Sequence, residues 1–270
     1  MKKTVQRLLK RLGTAHVALV FLFLYLPILV VVLFSFNTSK INIVFEGFTF
    51  DWYGRILDNT RLIDAFKNTL IIAVCSTAIS VVAGTLGAIG LHKYKFRGKG
   101  VIDVLMYIPV VIPEIILGIA LLAMFSIAHL PLGLLTLIIA HATFCIPFVV
   151  FTVRARLNGF DPSIEEAAMD LGAGRIRTLF EILLPSIMPG VLSGALLSLT
   201  LSMDDVIISF FTTGPQSTTL PMQIYSMVRS GVSPDVNALS TIILAGTIVV
   251  VVLTQSGLVR SIRNKIIAKP

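Results

Sequence analysis

The sequence predicts an all-α integral membrane protein with six transmembrane helices, and three observations carry that reading. Of the 270 residues 56% are apolar and only 13% charged, about half the charge of a soluble domain. Six apolar runs each reach the roughly 20 residues needed to cross about 30 Å of hydrocarbon as a helix. The third observation is the segregation of positive charge. Seventeen of the 22 Lys and Arg fall in the N-terminal segment, in "HKYKFRGKG", between residues 154 and 186, and near the C-terminus.

In chain order the spans are expected at about Val17–Phe36 (17-36), Leu70–Leu91 (70-91), Val104–Ile127 (104-127), Leu132–Val153 (132-153), Ile187–Phe211 (187-211) and Leu239–Val259 (239-259). Together they form a single transmembrane domain over residues 1-270. The first run follows "MKKTVQRLLKRLG" as a signal peptide would, but it is too long for an h-region. "SFNTSK" also lacks a small-x-small cleavage site, so the run is kept as a helix. By the positive-inside rule, both termini and the 154–186 loop are cytoplasmic. The net charge of +8 is then a topology signal, and no nucleic-acid partner is implied.

Two outer segments remain. Residues 37–69 carry Trp52 and Tyr53, which suit a membrane interface. Residues 212–238 carry turn chemistry at Gly214-Pro215 and Ser233-Pro234 around a short helical stretch. Within the spans, Gly84, Gly87 and Gly90 are spaced to let a second helix approach. Pro27, Pro109, Pro113 and Pro147 are expected to kink their helices. Cys75 and Cys145 have no metal-ligand spacing and read as small core residues. His141, alone in "IIAHATFC", reads as bonding a neighbouring helix and not as a metal ligand.

Carboxylates inside spans demand a reason, because each costs about 2.5–3.5 kcal/mol at the bilayer centre. The third span carries Glu114 and the fifth carries Asp204 and Asp205 in "LSMDDVIISFF". Neighbours on a helix point about 100° apart, so one aspartate can face a pathway while the other meets a helix. The reading leans to Asp205 for the pathway. Such acids suit a polyvalent cation, with Tyr107, Phe144, Phe210 and Phe211 as candidate aromatic walls. The plainer alternatives stay open. Asp204 could bond backbone or Ser202 at a helix break, and Glu114 could satisfy carbonyls freed by Pro113. Adjacent aspartates do not make an aspartyl protease, whose two acids converge from facing helices.

The segment 154-186 holds the most specific pattern. "DPSIEEAAMDLGAGRIRTLFEILLP" reads as helix, break, helix: Asp161 as N-cap, Pro162 at the first position, and Glu165 and Glu166 at the positive end of the dipole. Gly172 supplies the left-handed stop, and the second helix ends before Pro185. The order Glu166-Ala167-Ala168, three residues, Gly172, nine residues, Ile182, one residue, Leu184-Pro185 matches the EAA motif of ABC importer permeases. "LYLPILVVVLFSFNTSK", "HATFCIPFVVFTVRARL" and "LSLTLSMDDVIISFFTTGP" extend the likeness. The chain resembles the PotC-type permeases of spermidine/putrescine (polyamine) ABC importers.

That resemblance implies a type I importer permease fold in a bacterial inner membrane. It implies a heterodimer with a second, related permease, two copies of a cytoplasmic ATPase, and a periplasmic polyamine-binding protein. Glu166, Ala167, Ala168 and Gly172, with Asp170 beside them, would couple the ATPase to the membrane helices. ATP and Mg would be held by that partner, since no G-x-x-x-x-G-K-[ST] stands in this chain. No catalytic residue and no metal ligand is expected here. The alternative is the same machine with another cargo: an amino-phosphonate, iron or another small cation. A channel or secondary transporter working alone is disfavoured by the EAA loop.

Overall fold

Inside a bilayer the backbone must satisfy its own hydrogen bonds, and the chain is helical through nearly every apolar run. A computed structural model describes residues 2–39, 44–229 and 234–267, with side chains over 10–39, 44–229, 234–249 and at 252. The expected turn residue Ser233, and Lys40 and Lys269 from the charge pattern, lie outside the described residues. So do the side chains of Lys2, Lys3, Arg7, Arg260, Arg263 and Lys265. The helices are α1 Lys2–Phe34, α2 Asp51–Leu57, α3 Thr60–Lys93, α4 Lys99–Val111, α5 Glu114–Ile127 and α6 Leu134–Leu157. They continue with α7 Ser163–Asp170, α8 Arg175–Thr178, α9 Leu184–Asp204, α10 Ile207–Thr212, α11 Leu220–Arg229 and α12 Pro234–Ile267. A π-helical turn, Leu179–Leu183, joins α8 to α9. The described residues hold no β-strand, only an isolated bridge between Asn37 and Phe48.

Contacts group the chain into two units. One comprises residues 1–60 and 226–270, the other 61–225. In the first, α12 packs on α1 and α2. Its polar anchor is Asn37, fully buried, which donates to the Val44 carbonyl at 2.8 Å and accepts the Glu46 N–H at 2.9 Å. Trp52 lies 6% exposed, and its indole N–H donates to the Asn37 carbonyl at 2.7 Å. Beyond the interfacial role its residue type suggests, Trp52 has a structural one: its buried ring carries a satisfied N–H. Arg55 covers the ring at 4.7 Å.

In the second unit α6 is the central helix. Val149, Val150, Val153 and Leu157 bury against Ala88, Ile89 and Leu91 of α3 and Ile187 and Val191 of α9. The α6–α9 contact is close because α9 presents glycines there. A methyl group on Gly190 would stand 2.8 Å from Arg156 Cβ, and one on Gly194 would stand 2.6 Å from Thr152 Oγ1. These two do for α9 what the sequence reading assigned to Gly84, Gly87 and Gly90. Of those three only Gly84 is tightly faced, 2.7 Å from Val149 Cβ by the same construction. Cys145 is buried as expected, whereas Cys75 is exposed on α3.

Two expected spans are broken. The third bends by 113° between α4 and α5. Ile112, preceding Pro113, is held extended at ψ 136°, the conformation a proline imposes on the residue before it. Pro27, Pro109 and Pro147 stay inside their helices. The fifth span divides after Asp204 into α9 and α10. Conversely, the helix expected to stop before Pro185 continues. The π turn, with the Leu184 N–H reaching back to the Leu179 carbonyl, widens the helix just before Pro185 and lets it enter α9. By length and composition four helices can cross a membrane, or five if the bent pair is one span, and α12 adds a shorter apolar stretch at Pro234–Val249 among the described residues.

The glycine contacts give a direct test. Gly194→Leu should lower stability by about 1–3 kcal/mol through overpacking, read as a depressed melting temperature of the purified protein in detergent. Gly100→Ala, where nothing lies within 4 Å, should leave that temperature unchanged.

Candidate functional site

The break that ends α9 creates the polar centre of the 61–225 unit. Asp205 leaves the helix at φ −64°, ψ 131°, and the first turn of α10 then presents N–H groups with no helical partner. Asp205 satisfies them. Its Oδ1 accepts from the Ile208 N–H at 3.2 Å and its Oδ2 from the Ser209 N–H at 2.7 Å. Its side chain is 4% exposed. Asp204, the last residue of α9, is exposed. The two neighbours therefore meet different surroundings, and Asp205, the residue the sequence reading leans to for the pathway, is the buried one of the two. Capping demands that Asp205 turn in, and Asp204 is left facing out.

His141, near the middle of α6 and fully buried, braces the break from outside. Its Nδ1 lies 2.7 Å from Ser202 Oγ on α9, and its Nε2 lies 3.0 Å from Ser209 Oγ on α10. The same Nε2 is 3.5 Å from Asp205 Oδ2. Ser202 continues the chain to Ser76 on α3 at 3.1 Å. The histidine thus bonds neighbouring helices, as expected of it. Ser202, one of the alternatives the sequence offers to Asp204, serves His141 instead, and Ser76 and Ser209 join it without a sequence signal that singles them out.

Glu114 occupies the first turn of α5, at the bend, where the helix dipole favours an anion. It is exposed and within electrostatic reach of both Asp205 and Asp204. Among the described residues none of the three pairs with Lys or Arg. α10 sits directly on α5: a methyl on Gly118 would come 2.6 Å from Phe211 Cδ2. Of the aromatic residues, Phe210 is exposed and Phe211 packs on α5. Phe144 is buried beside His141, with ring centres 5.5 Å apart. Tyr107 is exposed on α4 and pairs with Phe151 at 4.7 Å. Of the three acids, Asp204 and Glu114 are exposed, while Asp205 is taken up by the α10 cap and the nearby His141.

The segment after α6 forms a second feature. Asp161 Oδ1 accepts the Ser163 N–H at 3.0 Å, and that bond holds the Asp161 carboxyl below its usual range. Gly172, at φ 89°, ends α7 in a Schellman motif. The Ala173 N–H reaches the Ala168 carbonyl at 3.0 Å and the Gly172 N–H reaches Met169 at 2.9 Å. Glu166, Ala167, Asp170 and Gly172 are exposed and Ala168 is half-buried. Around them Leu171, Ile176 and Phe180 are 91%, 76% and 61% exposed. Ion pairs tie this segment's base down: Lys93 with Glu165, and Arg154 with Asp103.

Apolar helices of spanning length, a kinked pair, acids within the spans and a small helical platform describe a multi-span permease. Residues 76–268 match the family described as binding-protein-dependent transport system inner membrane component. The chain belongs to that family. It is 44% identical over 236 residues to the spermidine/putrescine transport system permease protein PotC of Escherichia coli, covering 87% of this chain and 89% of the other. It is 43% identical over 231 residues to the putrescine transport system permease protein PotI of the same organism, covering 83% and 82%. Its fold is similar to that of a chain from a bacterial ABC transporter that imports alginate, with a TM-score of 0.73 over 93% of this chain and 96% of that one, at 18% identity.

The two aspartates should separate by experiment. Asp205→Ala removes the cap of α10 and should destabilise the protein by about 1–2 kcal/mol, measured by thermal denaturation in detergent. Asp204→Ala should leave the same transition in place.

Proposed function

We propose that this chain is the permease subunit through which an ATP-driven importer passes polyamines, spermidine or putrescine, across the bacterial inner membrane. The observation that carries the reading is the similarity to PotC and PotI over most of each chain, joined to the unpaired acids at the two helix breaks. A polyamine is a string of ammonium groups on an alkyl stem. An ammonium 4 Å from a carboxylate gains about 4 kcal/mol at an effective dielectric of 20, an attraction that desolvation largely offsets. Shallow sites of that kind suit passage better than one deep site. Asp204 and Glu114 are the exposed acids and face the cargo, with Phe210 and Tyr107 as apolar walls. Asp205 holds the break that presents Asp204.

In this reading both termini and the 154–186 segment are cytoplasmic. A second permease completes the pathway, and a periplasmic binding protein delivers the cargo to the outer face. Two copies of an ATPase bind ATP and Mg below. The exposed surface of Glu166, Ala167, Asp170, Leu171, Ile176 and Phe180 is where that ATPase docks. Ala168 and Gly172 give α7 the narrow waist and sharp end that docking needs.

Labelled spermidine uptake by cells lacking their own polyamine importers, and expressing this chain with its partner subunits, tests the assignment. Asp204→Asn should raise the KM for spermidine about tenfold, equivalent to 1.4 kcal/mol of lost attraction, while the complex still assembles. Competition by putrescine but not by an aminoalkylphosphonate or ferric iron is the expected pattern; the opposite pattern would assign another cargo. Gly172→Val should assemble the membrane subunits yet lose uptake, because a β-branched residue resists φ 89° and the docking surface loses its shape. Co-purification of the ATPase with this variant reads that loss directly.

A further inference from the structure

The break after Asp204 lies in the path of the proposed cargo, and the side chain that fixes its geometry belongs to neither piece of the broken helix. His141 stands on α6, yet its ring spans from Ser202, before the break, to Ser209, after it, at 2.7 Å and 3.0 Å. A fully buried imidazole satisfied at both nitrogens cannot turn without leaving a polar group bare, which costs more than the bond itself contributed. We infer that His141 is a positioning residue of the pathway: bridging Ser202 and Ser209, it sets the angle between α9 and α10 and thereby the direction in which Asp204 is presented.

The hydrogen bonds also assign the tautomer. Oδ2 of Asp205 lies 3.5 Å from Nε2 and has no proton of its own to give as a carboxylate. A carboxylate at that distance favours the hydrogen on Nε2, which then donates to Ser209 Oγ at 3.0 Å. Nδ1 is then the acceptor and takes the hydroxyl proton of Ser202. Ser202 Oγ is left free to accept from Ser76 at 3.1 Å. One directional chain runs from Ser76 on α3, through Ser202 and His141, to Ser209 and the carboxylate that caps α10. The Ser76 hydroxyl also lies 3.3 Å from the Ala73 carbonyl of its own helix. The arrangement places three helices behind the orientation of a single exposed acid at the end of α9.

This inference rests on the reading of Asp204 as a cargo-facing acid, so the test separates the two. In the assembled importer, with Cys75→Ser and Cys145→Ser, Asp204→Cys is labelled with a cationic methanethiosulfonate reagent, with and without His141→Leu. Removing the imidazole should change the labelling rate about tenfold, the scale of losing a buried hydrogen bond. His141→Gln, whose amide nitrogen replaces Nε2, should restore it; His141→Asn, which reaches only the Nδ1 position, should not. In the uptake assay His141→Leu should raise the spermidine KM as Asp204→Asn does, and the double variant should be no worse than either alone.

Unchanged labelling in assembled His141→Leu complexes would overturn the inference, as would effects on KM that multiply in the double variant. If His141→Leu fails to assemble, the Gln and Asn variants decide: equal behaviour, or Asn better than Gln, overturns it. Labelling that responds while Asp204→Asn leaves uptake normal would retain His141 as the brace and remove Asp204 from the pathway.

Discussion

The structure of the 61–225 unit turns on one constraint: a helix interrupted in a place without water must find its own hydrogen-bond partners. α9 ends at Asp204, and α10 begins with N–H groups that nothing in the helix can satisfy. Asp205 takes two of them on its two oxygens. Its own burial is made tolerable by those bonds and by the His141 ring 3.5 Å away. Everything polar in the neighbourhood follows. Ser209 and Ser202 orient the histidine, Ser76 ties Ser202 to α3, and Phe211 is set against Gly118 so that α10 rests on α5. Without that network the fifth span would have to run as one straight helix, and Asp204 would point where helical periodicity sent it.

Seen this way the two aspartates have divided their work. A capping carboxylate must be buried and fully bonded; a residue that meets a cation must keep lone pairs free. One side chain cannot do both. An adjacent pair at a break leaves one aspartate buried as the cap and its neighbour exposed. The third span reaches a comparable end by another route. Ile112, held extended before Pro113, starts a fresh helix at Glu114, and the exposed acid then sits on the positive end of that helix dipole.

Much of this was legible in the sequence. Apolar run lengths found the four helices of spanning length and the bent pair, because length and composition are what lipid selects; the sixth expected span is matched among the described residues by the shorter apolar stretch Pro234–Val249. The acids stood out for the same reason. Asp161 as cap and Gly172 as stop were readable because capping and left-handed backbone are local rules. What failed was non-local. The continuation through Pro185 depends on a π turn that supplies an i−5 bond, and no residue pattern announces it. The close approach of α9 to α6 rests on Gly190 and Gly194, which look no different from Gly87 and Gly90 until a partner helix is in place. The burial of Trp52 depends on an Asn37 carbonyl fifteen residues away that happens to face it. Asp205 could not be told from Asp204 without the identity of the neighbouring helix, which is where His141 comes from.

The continuity through Pro185 has a mechanical meaning. From Arg175 to Asp204 the chain is one helical rod of 30 residues, about 45 Å long. At one end it carries Ile176 and Phe180, exposed on the platform where an ATPase is proposed to dock; at the other it carries the acid proposed to meet the cargo. The rod packs on α6 through the close contacts at Gly190 and Gly194 and through buried Leu183, Ile187 and Val191. In the proposed importer, displacement at the platform would be carried along the rod toward the break. Only there, where backbone bonds are replaced by the Asp205 cap and the His141 bridge, can the direction of Asp204 change without disrupting a helix. In the proposed importer the break is then where Asp204 faces the pathway, and the His141 bridge is what movement of the rod must act against to change the direction of that acid.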